Sequence, residues 1–149
     1  MRIQKAVALF FAVLLLGAMG MAQLPAAPRA EFDDAAAADV MSHLRDGLEA
    51  HSQHLFLGNF DREQMKDFDS FSDQIEAYFT RYESFRIVYH IVRTVEQDGK
   101  GYILAEATVE STPRGGGRAS RREGQLRLTL APVGKTWKIV DVNPRGFFF

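Results

Sequence analysis

The chain has 149 residues, of which 18 are basic and 19 acidic, and it contains no cysteine. Its near-neutral charge gives no whole-surface attraction for nucleic acid, so we expect no nucleic-acid partner. The absence of cysteine excludes disulfides, thiolate metal sites and thiol nucleophiles, and the fold must therefore depend on its hydrophobic core.

Residues 1–22 have the layout of a secretory signal peptide. A basic start is followed by an uncharged segment, 6–20, and then by the small residues Gly20 and Ala22 ahead of Gln23. The apolar segment is shorter than the roughly 20 residues that a membrane-spanning helix needs. We therefore expect cleavage before Gln23, export to the periplasm or the medium, and no stable membrane insertion afterwards.

Residues 23–31 are rich in proline and alanine, which is typical of an extended tether. The remaining segment, 32–149, has the usual length of one domain. We therefore predict a flexible tether that leads into a single folded domain.

Helices are predicted in the first half of this domain. Apolar residues recur at helical spacing over 35–57, and Gly58 ends the pattern. Segment 61–68 is consistent with a short second helix, and Ser72 is a candidate N-cap for a third helix over 73–82. The apolar stripe predicted for the first helix contains Val40, Met41, Leu44, Leu48 and Leu55.

After the third helix the apolar period changes from 3.6 to 2, which predicts β-strands. Asp98-Gly99 predicts a tight hairpin, and the glycines at 115–117 predict a flexible connection. The predicted strands are 85–92, 102–112, 125–130 and 136–142. Helices followed by strands indicate an α+β fold, with the helices packed on one face of an antiparallel sheet.

This element order resembles the nuclear transport factor 2-like superfamily, which includes SnoaL-like and ketosteroid-isomerase-like proteins. Two segments carry the resemblance: Phe-Ser-Asp-Gln-Ile-Glu-Ala-Tyr-Phe at 71–79 and Trp-Lys-Ile-Val-Asp at 137–141. The resemblance implies a cystatin-like cone, in which N-terminal helices pack on a strongly curved antiparallel sheet of four or more strands. It also implies a cavity at the open end and a homodimer formed through the outer face of the sheet.

The resemblance constrains function weakly, because the superfamily includes isomerases, cyclases, dehydratases and non-catalytic binding domains. Isomerases of this type use an Asp base together with a Tyr and a protonated Asp. The second predicted strand carries Glu106, Thr108 and Glu110 but no Asp, and the stripe of the first helix has no Tyr. This chain therefore departs from the isomerase pattern.

His51 is the most informative polar residue, because helical spacing places it within the apolar stripe of the first helix. It is interpreted as a core histidine bonded to a Tyr hydroxyl or a carbonyl, as a ligand contact, or as a metal ligand. His54 lies one turn later, but no third ligand is marked by spacing, so we predict no metal site. The candidate pocket residues are His51, His54, Tyr78, Tyr82, Tyr89 and Trp137.

Two further features have open interpretations. Arginines at 114–127 form a basic stretch that is either a site for anionic partners or a solvated hairpin protected from edge pairing. Phe147–Phe149 is a patch that docks either on the sheet or on a second copy of the chain.

We predict a non-catalytic exported domain that binds a small amphipathic molecule or a partner, uses no cofactor and forms a homodimer. One alternative is a cofactor-independent lyase or isomerase, with His51 as general base and Tyr82 or Tyr89 as donor. Another is a structural assembly module that acts through the sheet face and the phenylalanine tail.

Overall fold

A computed structural model describes residues 30–149, which form three helices followed by a four-stranded antiparallel sheet. The predicted signal peptide, and residues 23–29 of the predicted tether, lie outside the described residues. The helices are α1 (Asp34–Glu49), α2 (Gln53–Leu57) and α3 (Phe68–Arg81). The strands are β1 (Tyr82–Gln97), β2 (Lys100–Pro113), β3 (Ser120–Val133) and β4 (Thr136–Asn143), and a 3-10 turn, Arg145–Phe148, follows. The predicted α+β class is confirmed.

The single helix predicted over 35–57 is wrong, because the structure divides it into α1 and α2. The chain turns at His51, whose φ of 51° lies in the left-handed region, and Ser52 then caps α2 by accepting a hydrogen bond from the Leu55 nitrogen at 3.3 Å. This break changes the helical phase. Leu55 is consequently 56% exposed instead of buried in the predicted stripe.

α2 folds back onto α1 at Gly47. A Cβ atom at this position would lie 2.6 Å from the backbone nitrogen of Phe56, which is closer than real Cβ atoms approach. The absence of a side chain at Gly47 therefore allows the close approach of the two helices, and it places Phe56 in the core.

The segment between α2 and α3 contains turns where a short helix was predicted over 61–68, and α3 begins at Phe68 rather than after Ser72. The Asp61 carboxylate holds the turn, accepting hydrogen bonds from the nitrogens of Glu63 at 2.9 Å and Gln64 at 3.0 Å. An Asx turn of this kind offers the backbone an alternative to a helix.

The sheet has the order β1-β2-β3-β4, and every neighbouring pair is antiparallel. The hairpin predicted at Asp98-Gly99 is confirmed: their φ values of 53° and 72° are those of a type I′ turn. Register shifts occur in β1 between Ile91 and Arg93 and where β3 leaves Thr129. Such bulges bend a sheet and increase its twist.

Aromatic side chains fill much of the space between the helices and the inner face of the sheet. The Phe56 ring lies 5.4 Å from Phe60 and 5.1 Å from Phe148, measured between ring centroids. Phe148 is completely buried, and Phe147 lies against Gly124 of β3. The phenylalanine tail therefore docks on the sheet of its own chain, which is one of its two predicted uses.

Candidate functional site

A cavity of about 300 Å³ lies between α3, β2, β3 and the final residue, Phe149. It lies at the end of the sheet where β2 connects to β3. We call it the Tyr78 cavity. Its lining residues are Gln74, Ala77, Tyr78, Arg81, Tyr82, Val109, Ser111, Ser120, Arg122 and Phe149.

The wall of the Tyr78 cavity contains a buried pair of hydroxyl groups. The Tyr78 hydroxyl on α3 is hydrogen-bonded to Oγ of Ser111 on β2. Ser111 is 3% exposed and is the one buried polar residue within 30–149. Burial raises the pKa of the Tyr78 phenol and outweighs the Ser111 hydrogen bond and the charge of Arg122, which both lower it. Tyr78 is therefore a neutral hydroxyl group that can donate or accept a hydrogen bond.

Two guanidinium groups border the same cavity. Nη1 of Arg122 donates hydrogen bonds to the backbone oxygens of Gly146 at 2.7 Å, Phe147 at 3.2 Å and Phe149, and so fastens the tail beside the cavity. These contacts use one nitrogen of a group that has five N–H donors. The guanidinium carbon of Arg81 lies 5.8 Å from the centroid of the Tyr82 ring, a cation–π arrangement.

No Asp, Glu or His is present among the lining residues of the Tyr78 cavity. The lining side chains offer cations, hydroxyl groups and aromatic faces, but none of them is a carboxylate or an imidazole that could accept a proton from a ligand. This combination suits a molecule with a polar or anionic group attached to an apolar body.

His51 lies beside the C-terminal end of α3 and does not line the Tyr78 cavity. Its Nε2 atom is 3.0 Å from the backbone oxygen of Phe79 and 2.8 Å from that of Tyr82. Both oxygens are acceptors, so Nε2 must carry a proton and donate it. The ring packs against those of Phe79, at 5.3 Å between centroids, and Phe85, at 5.5 Å. This arrangement corresponds to the interpretation of a histidine satisfied by carbonyls.

The structure brings only Tyr78 and Tyr82 of the six candidate residues into the Tyr78 cavity. His54 is exposed on α2, and Tyr89 lines a separate depression on the sheet. Trp137 lies near the β3–β4 hairpin at the other end of the sheet, 4.8 Å from the Phe32 ring. Residues 30–149 contain no cluster of three His, Asp or Glu side chains that could hold a metal ion.

Neither Ser111 nor Arg122 is among the six candidate pocket residues, although Arg122 belongs to the basic stretch at 114–127 and the strand pattern carried a signal for both. In β2, Ser111 lies two residues after the inward-facing Val109 and is therefore on the same face of the sheet. In β3, Arg122 lies four residues before the inward-facing Leu126 and is on the inner face for the same reason. A polar residue on an inward position near the end of a strand indicates either a hydrogen-bond partner or a cavity wall.

No protein-family model matches the chain, and no curated protein is similar to it in sequence. Solved structures are nevertheless similar to it. A conserved protein from Planctomyces limnophilus is 14% identical, with a TM-score of 0.64 over 74% of this chain and 92% of that chain. A ketosteroid isomerase-like protein from Erwinia carotovora is 11% identical, with a TM-score of 0.60 over 72% and 91%.

A nuclear transport factor 2-like superfamily protein from Salmonella enterica is 8% identical, with a TM-score of 0.61 over 70% of this chain and 83% of that chain. At these identities the similarity concerns the fold, and it agrees with the element order and the curved sheet described above. The chain therefore has the fold of the nuclear transport factor 2-like superfamily, as the sequence resemblance predicted.

Proposed function

We propose that the domain binds a small amphipathic molecule in the Tyr78 cavity without transforming it. The observation that supports this most strongly is the set of lining side chains: two phenols, a buried hydroxyl group and two guanidinium groups, with no carboxylate or imidazole side chain among them. Ligand sites are mostly apolar and contain a few polar groups that fix orientation, and a volume of about 300 Å³ is at the small end of their range.

The chemistry of the lining favours a ligand with an anionic head. Arg81 and Arg122 would attract that head, and Arg122 retains N–H donors beyond those of Nη1. The hydroxyl pair of Tyr78 and Ser111 would add hydrogen bonds, while the Tyr82 and Phe149 rings would cover an apolar body.

The geometry gives less support to a lyase or isomerase with His51 as general base. Such a base must reach the proton that it removes. Nε2 of His51 already donates to two backbone oxygens, and the imidazole is not part of the cavity wall. Binding without catalysis is therefore the function that these contacts favour.

Titration of the protein with decanoate tests this proposal, because decanoate combines a carboxylate with an apolar chain. We expect saturable heat in isothermal titration calorimetry for the wild type. Ala77→Phe should abolish it, since Ala77 lines the cavity and a phenyl ring there would fill it. Ala38→Phe adds the same ring at an exposed position of α1 and should bind like the wild type. Equal binding by the two variants would contradict the proposed site.

The proposal includes export, which rests on the sequence of residues 1–22. N-terminal sequencing of the protein from cells of its own organism tests this part. A mature chain that begins at Gln23 in the periplasmic or secreted fraction would support it, and an intact N-terminus in the cytosol would contradict it.

The proposal also includes a homodimer formed through the outer face of the sheet. Val88 is 61% exposed on this face, and Val92, four residues later in β1, is also exposed. Large apolar side chains on an open sheet surface are typical of an interface. Sedimentation velocity should give a dimer for the wild type and a monomer for Val88→Glu. A wild-type monomer at high concentration would contradict this part.

A further inference from the structure

A second concave site lies on the outer face of the sheet, on the half nearest to the β1–β2 hairpin, whereas Val88 of the proposed dimer interface lies on the other half of that face. It has a volume of about 440 Å³ and extends across all four strands. We call it the Arg93 groove. Its lining includes Arg93, Val95, Tyr102, Leu104, Arg127 and Asp141.

The bends of the strands account for the concave shape. The bulge between Ile91 and Arg93 borders the groove in β1, and the register shift after Thr129 borders it between β3 and β4. Bulges increase the local twist and bend the strand that carries them. With one such irregularity on each side of the groove, the sheet surface between them is concave instead of flat.

The groove carries an excess of positive charge. Arg93 and Arg127 both pair with Leu104, from opposite sides, so their backbones are two strand spacings apart, about 10 Å. Across the described part of the chain, neither guanidinium has a carboxylate within 4 Å. Asp141 is the one acidic residue in the lining, and its Oδ1 is already 3.1 Å from the guanidinium of Arg145.

An apolar floor lies between the two cations. Leu104 stands between them in the same cross-strand row, and Val95 pairs with Tyr102 in the next row. Tyr102 is 38% exposed, so its ring is available to a flat molecule. Two cations beside an aromatic and aliphatic floor match the groups that recognise a planar anion.

We propose that the Arg93 groove binds a small organic anion with a flat apolar body, through Arg93 and Arg127. This site is distinct from the Tyr78 cavity, because the two share no lining residue and lie on opposite faces of the sheet. The shared chemistry of its ligands is a carboxylate or a phosphate on an aromatic ring system.

The test is calorimetric titration with 2-naphthoate and 2-naphthyl phosphate, with neutral 2-naphthamide as the uncharged comparison. We expect saturable binding of at least one anion and at least about tenfold weaker binding of the amide, since losing a charge-assisted contact has an effect of this size. Arg93→Gln and Arg127→Gln should each weaken binding of the anion by about tenfold. Arg118→Gln removes an equal charge from the exposed β2–β3 connection and should leave binding unchanged.

Three results would overturn the proposal. The first is no saturable binding of either anion. The second is binding that Arg93→Gln and Arg127→Gln leave intact but Arg122→Gln removes, which would place the anion in the Tyr78 cavity. The third is a dimer in sedimentation velocity that the groove variants dissociate without changing anion binding, which would identify a second copy of the chain as the occupant.

Discussion

The backbone conformation at His51 changes the structural interpretation of this residue. Helical spacing placed it in the apolar stripe of a long helix, but its left-handed φ of 51° ends the regular structure there. Its ring instead donates to the carbonyl oxygen of Phe79, in the last turn of α3, and to that of Tyr82, the residue that follows α3. Propensity and period cannot predict this break, because the contacts that stabilise it come from residues about 30 positions away.

We predict that His51→Ala lowers the free energy of unfolding by about 1 kcal/mol, because it removes the donor to Phe79 and Tyr82. His51→Gln places an amide nitrogen at a similar reach and should restore part of the loss. Urea unfolding monitored by circular dichroism measures both. Wild-type stability in the Ala variant would contradict the capping role.

Tyr78 gives a prediction about alkaline pH. Its folded-state pKa is raised above 10.0, so the folded protein keeps a proton that the unfolded chain loses. This stabilisation is complete below about pH 10 and is lost as the pH rises through the raised pKa. Urea midpoints between pH 8 and 11 should fall more steeply for the wild type than for Tyr78→Phe.

The control for this measurement is Tyr102→Phe, which removes a half-exposed hydroxyl far from Ser111. It should keep the steep alkaline fall of the wild type. If Tyr78→Phe shows the same fall as Tyr102→Phe, the buried phenol does not carry the effect.

At the scale of elements, alternation and turn chemistry predicted four strands and the Asp98-Gly99 hairpin, because both depend on local sequence. The bulge near Val92 was not predictable in this way. An exposed valine next to Ile91 is equally compatible with a continuous strand. The Arg93 groove depends on that bend and was therefore not apparent in the sequence.

Gly47 provides a test of how α1 and α2 pack. Gly→Ala within a helix normally stabilises a protein by roughly 0.5–1 kcal/mol. For Gly47→Ala we predict the opposite effect, a decrease of about 1–3 kcal/mol in the free energy of unfolding, because the new Cβ would lie 2.6 Å from the Phe56 nitrogen. Thermal or urea unfolding measures the sign. Asp39→Ala, at an exposed position of α1, should change stability little, and a more stable Gly47→Ala would contradict the packing.

At the scale of the whole molecule, the phenylalanine tail completes the hydrophobic core of the domain. We predict that Phe148→Ala lowers the free energy of unfolding by about 3–5 kcal/mol, since the ring is fully buried against Phe56. Phe149→Ala should lower the free energy of unfolding clearly less than Phe148→Ala does, because Phe149 is only half-buried. Calorimetric unfolding measures the difference. Equal and small losses would mean that the tail does not belong to the core.

The sequence predicted the α+β class, the superfamily fold and two residues of the Tyr78 cavity. It could not predict that the tail reaches back between α3 and the sheet, because the contacts that Arg122 makes with Gly146 and Phe147 join segments 24 and 25 residues apart. The shape of the cavity depends on these long-range contacts, whereas the helical period of α3 accounts for the inward position of Tyr78.

The most direct test of ligand binding in the Tyr78 cavity is native mass spectrometry of protein purified from its own organism. We predict an additional mass of a small molecule on the wild type and on Ala38→Phe, and the bare mass for Ala77→Phe. Tandem dissociation of the wild-type complex should release an amphipathic anion. A bare mass for all three proteins, or a retained molecule that Ala77→Phe does not displace, would contradict the proposed function.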